Sequence, residues 1–419
     1  LIIATAPVLS RVFSPEEFGV YYRFIGIGGR LSRIITGGVE KAYVIIESDN
    51  CARRLLAFTI RIILFSLILL LIPALLLKNY LSSFFNIEHS TFLVLLIPFY
   101  TVLFALFRVL QHWLIRENKY KNHSGSNIIR SVVMTAGQTI SGSAGAAGIG
   151  LISGAFLGQI AAVIYLLTNK TFKRNSGEKQ SWSELRSSAM EYIAYPKFYM
   201  PSGLVNEASI QLPIFALKSF FSTALAGLYS LPHKVLSQPS RLLGYAVGEV
   251  YYRTASSLIQ KGEDISQLTF RVFKTLIFIS IVPFGVLTIW GTEIFSFIFG
   301  PEWAQSGLIA SYLSPWLLIV FAGSPITYIF NLKNKLALSF KLNLILLIGR
   351  AASLLCGFLM YGTLEHTIIF FAVFSFLFWI LTTIISLRMA DIPIGRILTF
   401  ASFILIAASL PWIIKILLF

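Results

Sequence analysis

Arg23, Arg30, Arg33 and Lys41 lie in a stretch, Phe18 to Ile46, that is otherwise apolar enough and long enough to cross a bilayer. At 3.6 residues per turn, positions 23, 30 and 41 of one helix fall within about 20° of a line, with Arg33 about 80° from it. The spacing predicts a single helix bearing four cations along one side. A cation at mid-bilayer costs ~2.5–3.5 kcal/mol on the mildest scale, so that side must meet water or an anion. Arginine grips phosphate and carboxylate oxygens through a bidentate fork. The chemistry such a row can do is to hold and pass an anionic cargo, with no covalent step.

Other charges share the problem. Of 34 Lys and Arg, 11 fall inside apolar segments: Arg23, Arg30, Arg33, Lys41, Arg61, Arg108, Arg130, Lys234, Arg241, Arg350 and Lys415. Only three acids do so, Glu40, Glu207 and Glu249. Ten unpaired cations in lipid would cost about 30 kcal/mol, against a net stability of ~5–15 kcal/mol. Lys41, Arg61, Arg108, Arg130 and Lys415 stand near segment ends and read as interfacial anchors. Arg30 and Arg33 read as cavity residues, as do Lys234 and Arg241, seven apart around Pro239. Arg350 is central to its segment and reads as a cavity residue or half of a buried pair. Segment 195–217 carries Pro196, Pro201 and Pro213 with Ser202, Asn206, Glu207, Ser209 and Gln211. Irregular backbone at membrane depth is tolerated where it lines a cavity. Asn206 and Tyr199 could contact sugar hydroxyls there, the rival reading being a polar seam between helices. Glu207 and Glu249 could bind a proton or Na⁺, or simply neutralise arginines. Cys51 and Cys356 form no motif and the five His are scattered, so no metal site or cofactor is expected.

The elements that must position these residues follow from composition. The chain is 56% hydrophobic and 12% charged over 419 residues, against about 25% charged in a soluble domain. Ten-residue alternating strand patterns are absent, so an all-α polytopic membrane protein is expected. Hydrophobic segments run over 1–10, 18–46, 55–77, 91–115, 127–147, 149–169, 195–217, 223–251, 270–291, 307–331, 337–360, 366–387 and 395–419. Leu1 is not a start methionine, and the first segment reads as truncated. One set of connections, 47–54, 116–126, 170–197, 252–274, 332–341 and 388–396, holds 20 cations; the opposite set holds Arg11, Lys78 and Lys218. The positive-inside rule places the first set in the cytoplasm. That bias accounts for the net charge of +16 without a nucleic-acid partner. The longest polar loop divides the chain into residues 1–169, a linker 170–194, residues 195–388 and an extra helix in 389–419. Gly150, Gly154 and Gly158 predict a tight helical hairpin. A phosphate-cradling loop is the poorer reading, since no strand precedes the glycines and no Lys-Ser/Thr follows.

Three runs are similar to one family. SPEEFGVY (14–21), YPKFYMPSGLVNEASIQLPIFAL (195–217) with GLYSLPHKVLSQPSRLLGYAVGEVYY (227–252), and FGPEWAQSGLIASYLSPW (299–316) with SPIT (324–327) resemble bacterial polysaccharide-biosynthesis flippases of the Wzx type. The resemblance implies a MATE-like fold of the MOP superfamily, with two six-helix bundles around a central cavity. It implies a cargo of oligosaccharide on undecaprenyl diphosphate, moved from the cytoplasmic to the periplasmic leaflet of the bacterial inner membrane for O-antigen, capsule or exopolysaccharide. A polymerase and a chain-length regulator of that pathway would be partners. The second segment of such relatives is mainly apolar, whereas here it bears Arg23, Arg30 and Arg33. With no nucleotide-binding motif, energy must come from a proton, Na⁺ or the membrane potential. The alternatives are a cation-coupled multidrug exporter of the same fold, or a membrane glycosyltransferase or polymerase. The first expects an acidic, aromatic cavity, and the second a large extramembrane loop or a catalytic acid or base at the interface.

Overall fold

Long apolar runs punctuated by Gly, Asn and Asp leave the backbone one economical solution, and every regular element among the described residues is helical. The computed structural model describes residues 13, 15–84, 91–145, 147–168 and 182–418. The expected segment 1–10 and much of the expected linker lie outside them. The helices are α1 (Pro15–Thr36), α2 (Asp49–Leu76), α3 (Lys78–Phe84), α4 (Thr91–Arg116), α5 (Tyr120–Ser143), α6 (Ala147–Thr168) and α7 (Trp182–Glu191). They continue as α8 (Met200–Phe220), α9 (Thr223–Gln260), α10 (Ser266–Phe299), α11 (Ala304–Gly323), α12 (Ile329–Leu332), α13 (Leu336–Tyr361), α14 (Leu364–Met389) and α15 (Ile394–Leu418). Among the described residues, eight helical stretches, in α2, α4, α6, α10, α11, α13, α14 and α15, are long and apolar enough to span a membrane. The protein is a multi-span membrane protein. The four least apolar of the long helices are α1, α5, α8 and α9.

Three segment expectations are corrected. The expected helix over 18–46 ends at Thr36, where Gly37 and Gly38 take φ of +59° and +76°. An L side chain rarely adopts those angles. A Cβ on Gly37 would also lie 2.9 Å from the Pro196 Cβ. The chain continues as a 3-10 turn, Val39–Val44. Segment 307–331 is interrupted at Ser324, beyond which Pro325–Tyr328 forms another 3-10 turn. The expected loop 252–274 shrinks to residues 261–265, with Gly262 at φ +74°. Arg253, Arg271 and Lys274 therefore stand on helices. Asn118, Asn334 and Asp391 take positive φ at three other tight turns, as their short polar side chains allow.

The chain divides into two compact units, Leu1–Met200 and Pro201–Phe419. In the first, α4 packs against α1, α2, α6 and the 3-10 turn. The α5–α6 hairpin closes on glycine. A Cβ on Gly154 would lie 2.6 Å from the Gln138 nitrogen, and one on Gly158 2.6 Å from the Arg130 carbonyl. In the second, α11 packs against α9, α10 and α14. Gly291 of α10 and Gly307 of α11 meet backbone to backbone, next to a kink at Trp290. The last helix, α15, lies on α10, with Phe400 among Phe270, Phe273 and Phe278.

Candidate functional site

In the first unit α1 presents two faces. Tyr21, Phe24, Gly28, Ser32 and Thr36 are buried at spacings of three and four. A Cβ on Gly28 would stand 2.6 Å from the Tyr100 ring, so glycine brings α1 hard against α4. Arg23, Arg30 and Arg33 lie on the opposite face and all three are exposed on the unit. Because the helix stops at Thr36, Arg33 stands in its last turn and Arg23 lies nearest its middle. Lys41 leaves the row: it sits buried in the 3-10 turn.

The 3-10 turn beyond the row holds a buried ion pair. Glu40 has no exposed surface and pairs with Arg108 of α4. About two helical turns further along α4, Arg116 donates from Nη1 to the Tyr43 and Ile46 carbonyls at 2.5 Å, and from Nη2 to Asp49 Oδ1 at 2.6 Å. These two arginines fasten the 3-10 turn. Tyr199, expected to meet sugar, packs its ring on Gly38 and lies 5.8 Å from the ring of Tyr195. Arg130 extends over the Phe107 ring at 5.2 Å, and Arg61 is exposed on α2.

In the second unit, α8 uses its buried Ser202 and Ser209 to bind α13. Asn343 Nδ2 donates to Ser202 Oγ at 2.8 Å, and Arg350 Nη1 donates to Ser209 Oγ at 2.9 Å. Asn206 and Glu207 of α8 are half-buried. On α9, Lys234 is exposed and Glu249 is buried; Arg241 belongs to the same helix, its side chain outside the described residues. Arg350 differs from the other candidates. It is 2% exposed and enclosed by its own unit, bonded to Ser209 and Ser375 and resting on the rings of Trp316 and Phe371. Lys415 reaches Ser311 Oγ at 3.0 Å, tying α15 to α11. The residues that sequence reasoning passed over are those surrounding Arg350: Tyr229, His233, Trp316 and Ser375. Tyr229 and His233 carry the only local signal, an i, i+4 aromatic pair, but Trp316 and Ser375 come from helices far along the chain. No group of three His, Cys, Asp or Glu able to hold a metal occurs among the described residues.

Every candidate side chain except Arg350 therefore lies on one of the four polar helices or on the turn that precedes α8, and two of those helices belong to each unit. A sequence profile of a family described as polysaccharide biosynthesis protein matches residues 8–307. The chain belongs to this family. No curated protein matches it. Among solved structures it is similar to an outward-facing multidrug resistance MATE family transporter of the MOP superfamily, at 10% identity and a TM-score of 0.69, over 92% of this chain and 90% of that one. It is similar to the Vibrio cholerae MATE transporter VcmN in the bent form, at 13% identity and a TM-score of 0.64, over 92% and 88%. It is also similar, at 13% identity and a TM-score of 0.64 over 92% and 88%, to a MOP superfamily transporter from Pyrococcus furiosus, for which reverse polarity of the binding pocket suggests a different function. At these identities the likeness establishes the fold, which is MATE-like. Family and fold together make this a polysaccharide biosynthesis protein with a MATE-like membrane fold.

Proposed function

We propose that this protein is a transporter, a flippase for an oligosaccharide carried on polyprenyl diphosphate. It would move its cargo from the cytoplasmic to the periplasmic leaflet of the inner membrane by alternating access between two bundles. The observation that carries the reading is the exposed row Arg23, Arg30 and Arg33 on α1, directly opposite the face that packs on α4. Three guanidinium groups on one helix face would be tolerable at membrane depth where they meet water or anions, and their fork geometry suits diphosphate and acidic sugars. Within the second unit, Lys234, Arg241, Asn206 and Glu207 on α8 and α9 would supply further polar groups for the cargo, while the lipid tail stays in the bilayer. The connections rich in Lys and Arg would face the cytoplasm. A polymerase and chain-length regulator are the partners this role implies. The reading involves no covalent chemistry.

A multidrug exporter of the same fold is the competing reading. Organic cations favour acidic surfaces, and the exposed row of α1 is uniformly cationic. The reverse-polarity pocket described for the P. furiosus transporter is a precedent within the fold for a cargo other than organic cations. The deciding experiment replaces Arg23, Arg30 and Arg33 together with alanine in the native host. Surface polysaccharide should disappear while folded protein stays in the membrane. Normal polymer, or drug sensitivity with intact polymer, would overturn the assignment.

A further inference from the structure

Arg350 poses a charge problem of its own. An arginine stays protonated in proteins, and a buried charge is ordinarily paired with an opposite one. Arg350 is 2% exposed, yet no carboxylate lies within salt-bridge distance of it among the described residues. Its neighbours are neutral. Nε donates to Ser375 Oγ at 3.1 Å, and Nη1 donates to Ser209 Oγ at 2.9 Å and to the Ser209 carbonyl at 3.3 Å. The guanidinium carbon sits 4.8 Å from the Trp316 ring centroid and 5.2 Å from that of Phe371. Hydroxyls and ring faces soften the charge without cancelling it. Nη2 makes no hydrogen bond among the described residues.

The aromatic wall repeats the imbalance. Tyr229 is fully buried and Trp316 is 4% exposed, yet neither the Tyr229 hydroxyl nor Trp316 Nε1–H has a hydrogen-bond partner among the described residues. The two rings belong to the same cluster: Tyr229 stacks on His233 at 5.6 Å, His233 on Trp316 at 6.0 Å, and Phe371 stands edge-on to both Tyr229 and Trp316. Phe371, on which the guanidinium rests, lies 6.1 Å from the Tyr229 ring. Buried donors left without acceptors are rare in folded proteins. One uncompensated cation and two unanswered donors in one cluster lack the same thing, an acceptor bearing negative charge.

We propose that the cluster of Arg350, Tyr229 and Trp316 inside the second unit binds a small monovalent anion, of the size and charge of chloride. One guanidinium balances one negative charge. A divalent oxyanion would leave the site net negative and would have to shed a much tighter hydration shell among aromatic rings. The site is separate from the exposed arginines of α1 and does not rest on the identity of the transported cargo. Bound there, the anion joins α9, α11 and α13 through one charge, with α8 and α14 held by the serines of the same arginine.

The test uses the full-length protein purified in detergent, titrated with sodium chloride or bromide against sodium gluconate and sulfate at matched ionic strength. Halide is expected to raise the unfolding temperature of the wild type saturably. Tyr229→Phe and Trp316→Phe each remove one donor and keep the ring, and should raise the half-saturating halide concentration about tenfold, the loss of one hydrogen bond to a charged group. Arg350→Gln should abolish the halide response; should that variant fail to fold, the two aromatic variants decide. A bromide anomalous peak beside Arg350 in crystals would locate the ion. A wild type indifferent to halide, or a response left intact in both aromatic variants, overturns the proposal.

Discussion

Glu40 has no solvent-exposed surface, so its charge must be answered inside the protein, and Arg108 answers it. Removing one member of a buried pair strands the other and costs ~3–5 kcal/mol, whereas removing both charges costs far less. Arg108→Ala is therefore expected to lower the apparent unfolding temperature sharply, and Glu40→Gln combined with Arg108→Gln to recover at least half of the loss. Additive losses in the double variant would refute the pairing argument. Asp264, on the short turn between α9 and α10, is a milder case outside the membrane. It accepts hydrogen bonds from the Ser266 backbone N–H at 2.9 Å and from the Ser266 hydroxyl. These bonds hold its carboxyl below the usual 3.8. A carboxyl depressed in the folded state contributes stability that is fully present above its unfolded value and fades as pH falls through the folded one. The difference in unfolding temperature between Asp264→Ala and wild type should stay constant from neutral pH to pH ~5 and shrink below pH ~3.8. A difference that grows on acidification would contradict this sign.

Helices in lipid approach one another only as closely as their smallest residues permit, and α5 and α6 show how much depends on this. A Cβ on Gly154 would meet the Gln138 nitrogen at 2.6 Å and the Met134 carbonyl at 2.9 Å, both backbone atoms that cannot step aside. Gly203 of α8 has nothing within 4 Å of such an atom. Gly154→Leu should destabilise by at least ~1–3 kcal/mol through overpacking, while Gly203→Ala should be neutral or stabilise by up to ~1 kcal/mol through helix propensity. Thermal unfolding in detergent of the two variants reads the contrast directly. This hairpin was legible in the sequence because glycines spaced by four share a helix face whatever their partner. The end of α1 was not. Gly37 and Gly38 would be tolerated within a helix by spacing alone, and the break becomes compulsory only once Pro196 and Tyr199, from the far end of the same unit, occupy the space beside them. The same distance in sequence hid the Arg350 cluster, whose rings and serines come from four helices other than its own.

Across the whole molecule, composition and charge asymmetry sufficed for a multi-span helical protein, because lipid forbids almost every other backbone. The motif runs from Tyr195 to Thr327 sufficed for the family. What periodicity alone could not supply was the depth of each charge, which depends on where a helix stops. With α1 ending at Thr36, Arg23 becomes the residue nearest mid-helix, and any anion handed along the row must pass it. The proposed cargo bears about two negative charges, and moving them outward, away from a negative interior, releases ~4–5 kcal/mol per 100 mV. Proteoliposomes loaded with a fluorescent polyprenyl-diphosphate sugar should therefore flip it faster when the potential is negative on the side of origin than when it is reversed, with no proton or Na⁺ gradient imposed. Arg23→Gln should slow flipping at both polarities more than Arg33→Gln does, because Arg33 lies in the last turn beside the interface. Arg23→Lys should restore part of the rate, since it keeps the charge and loses the fork. Rates indifferent to polarity would leave an ion gradient as the driving force, and an Arg23→Gln variant as fast as wild type would remove α1 from the path.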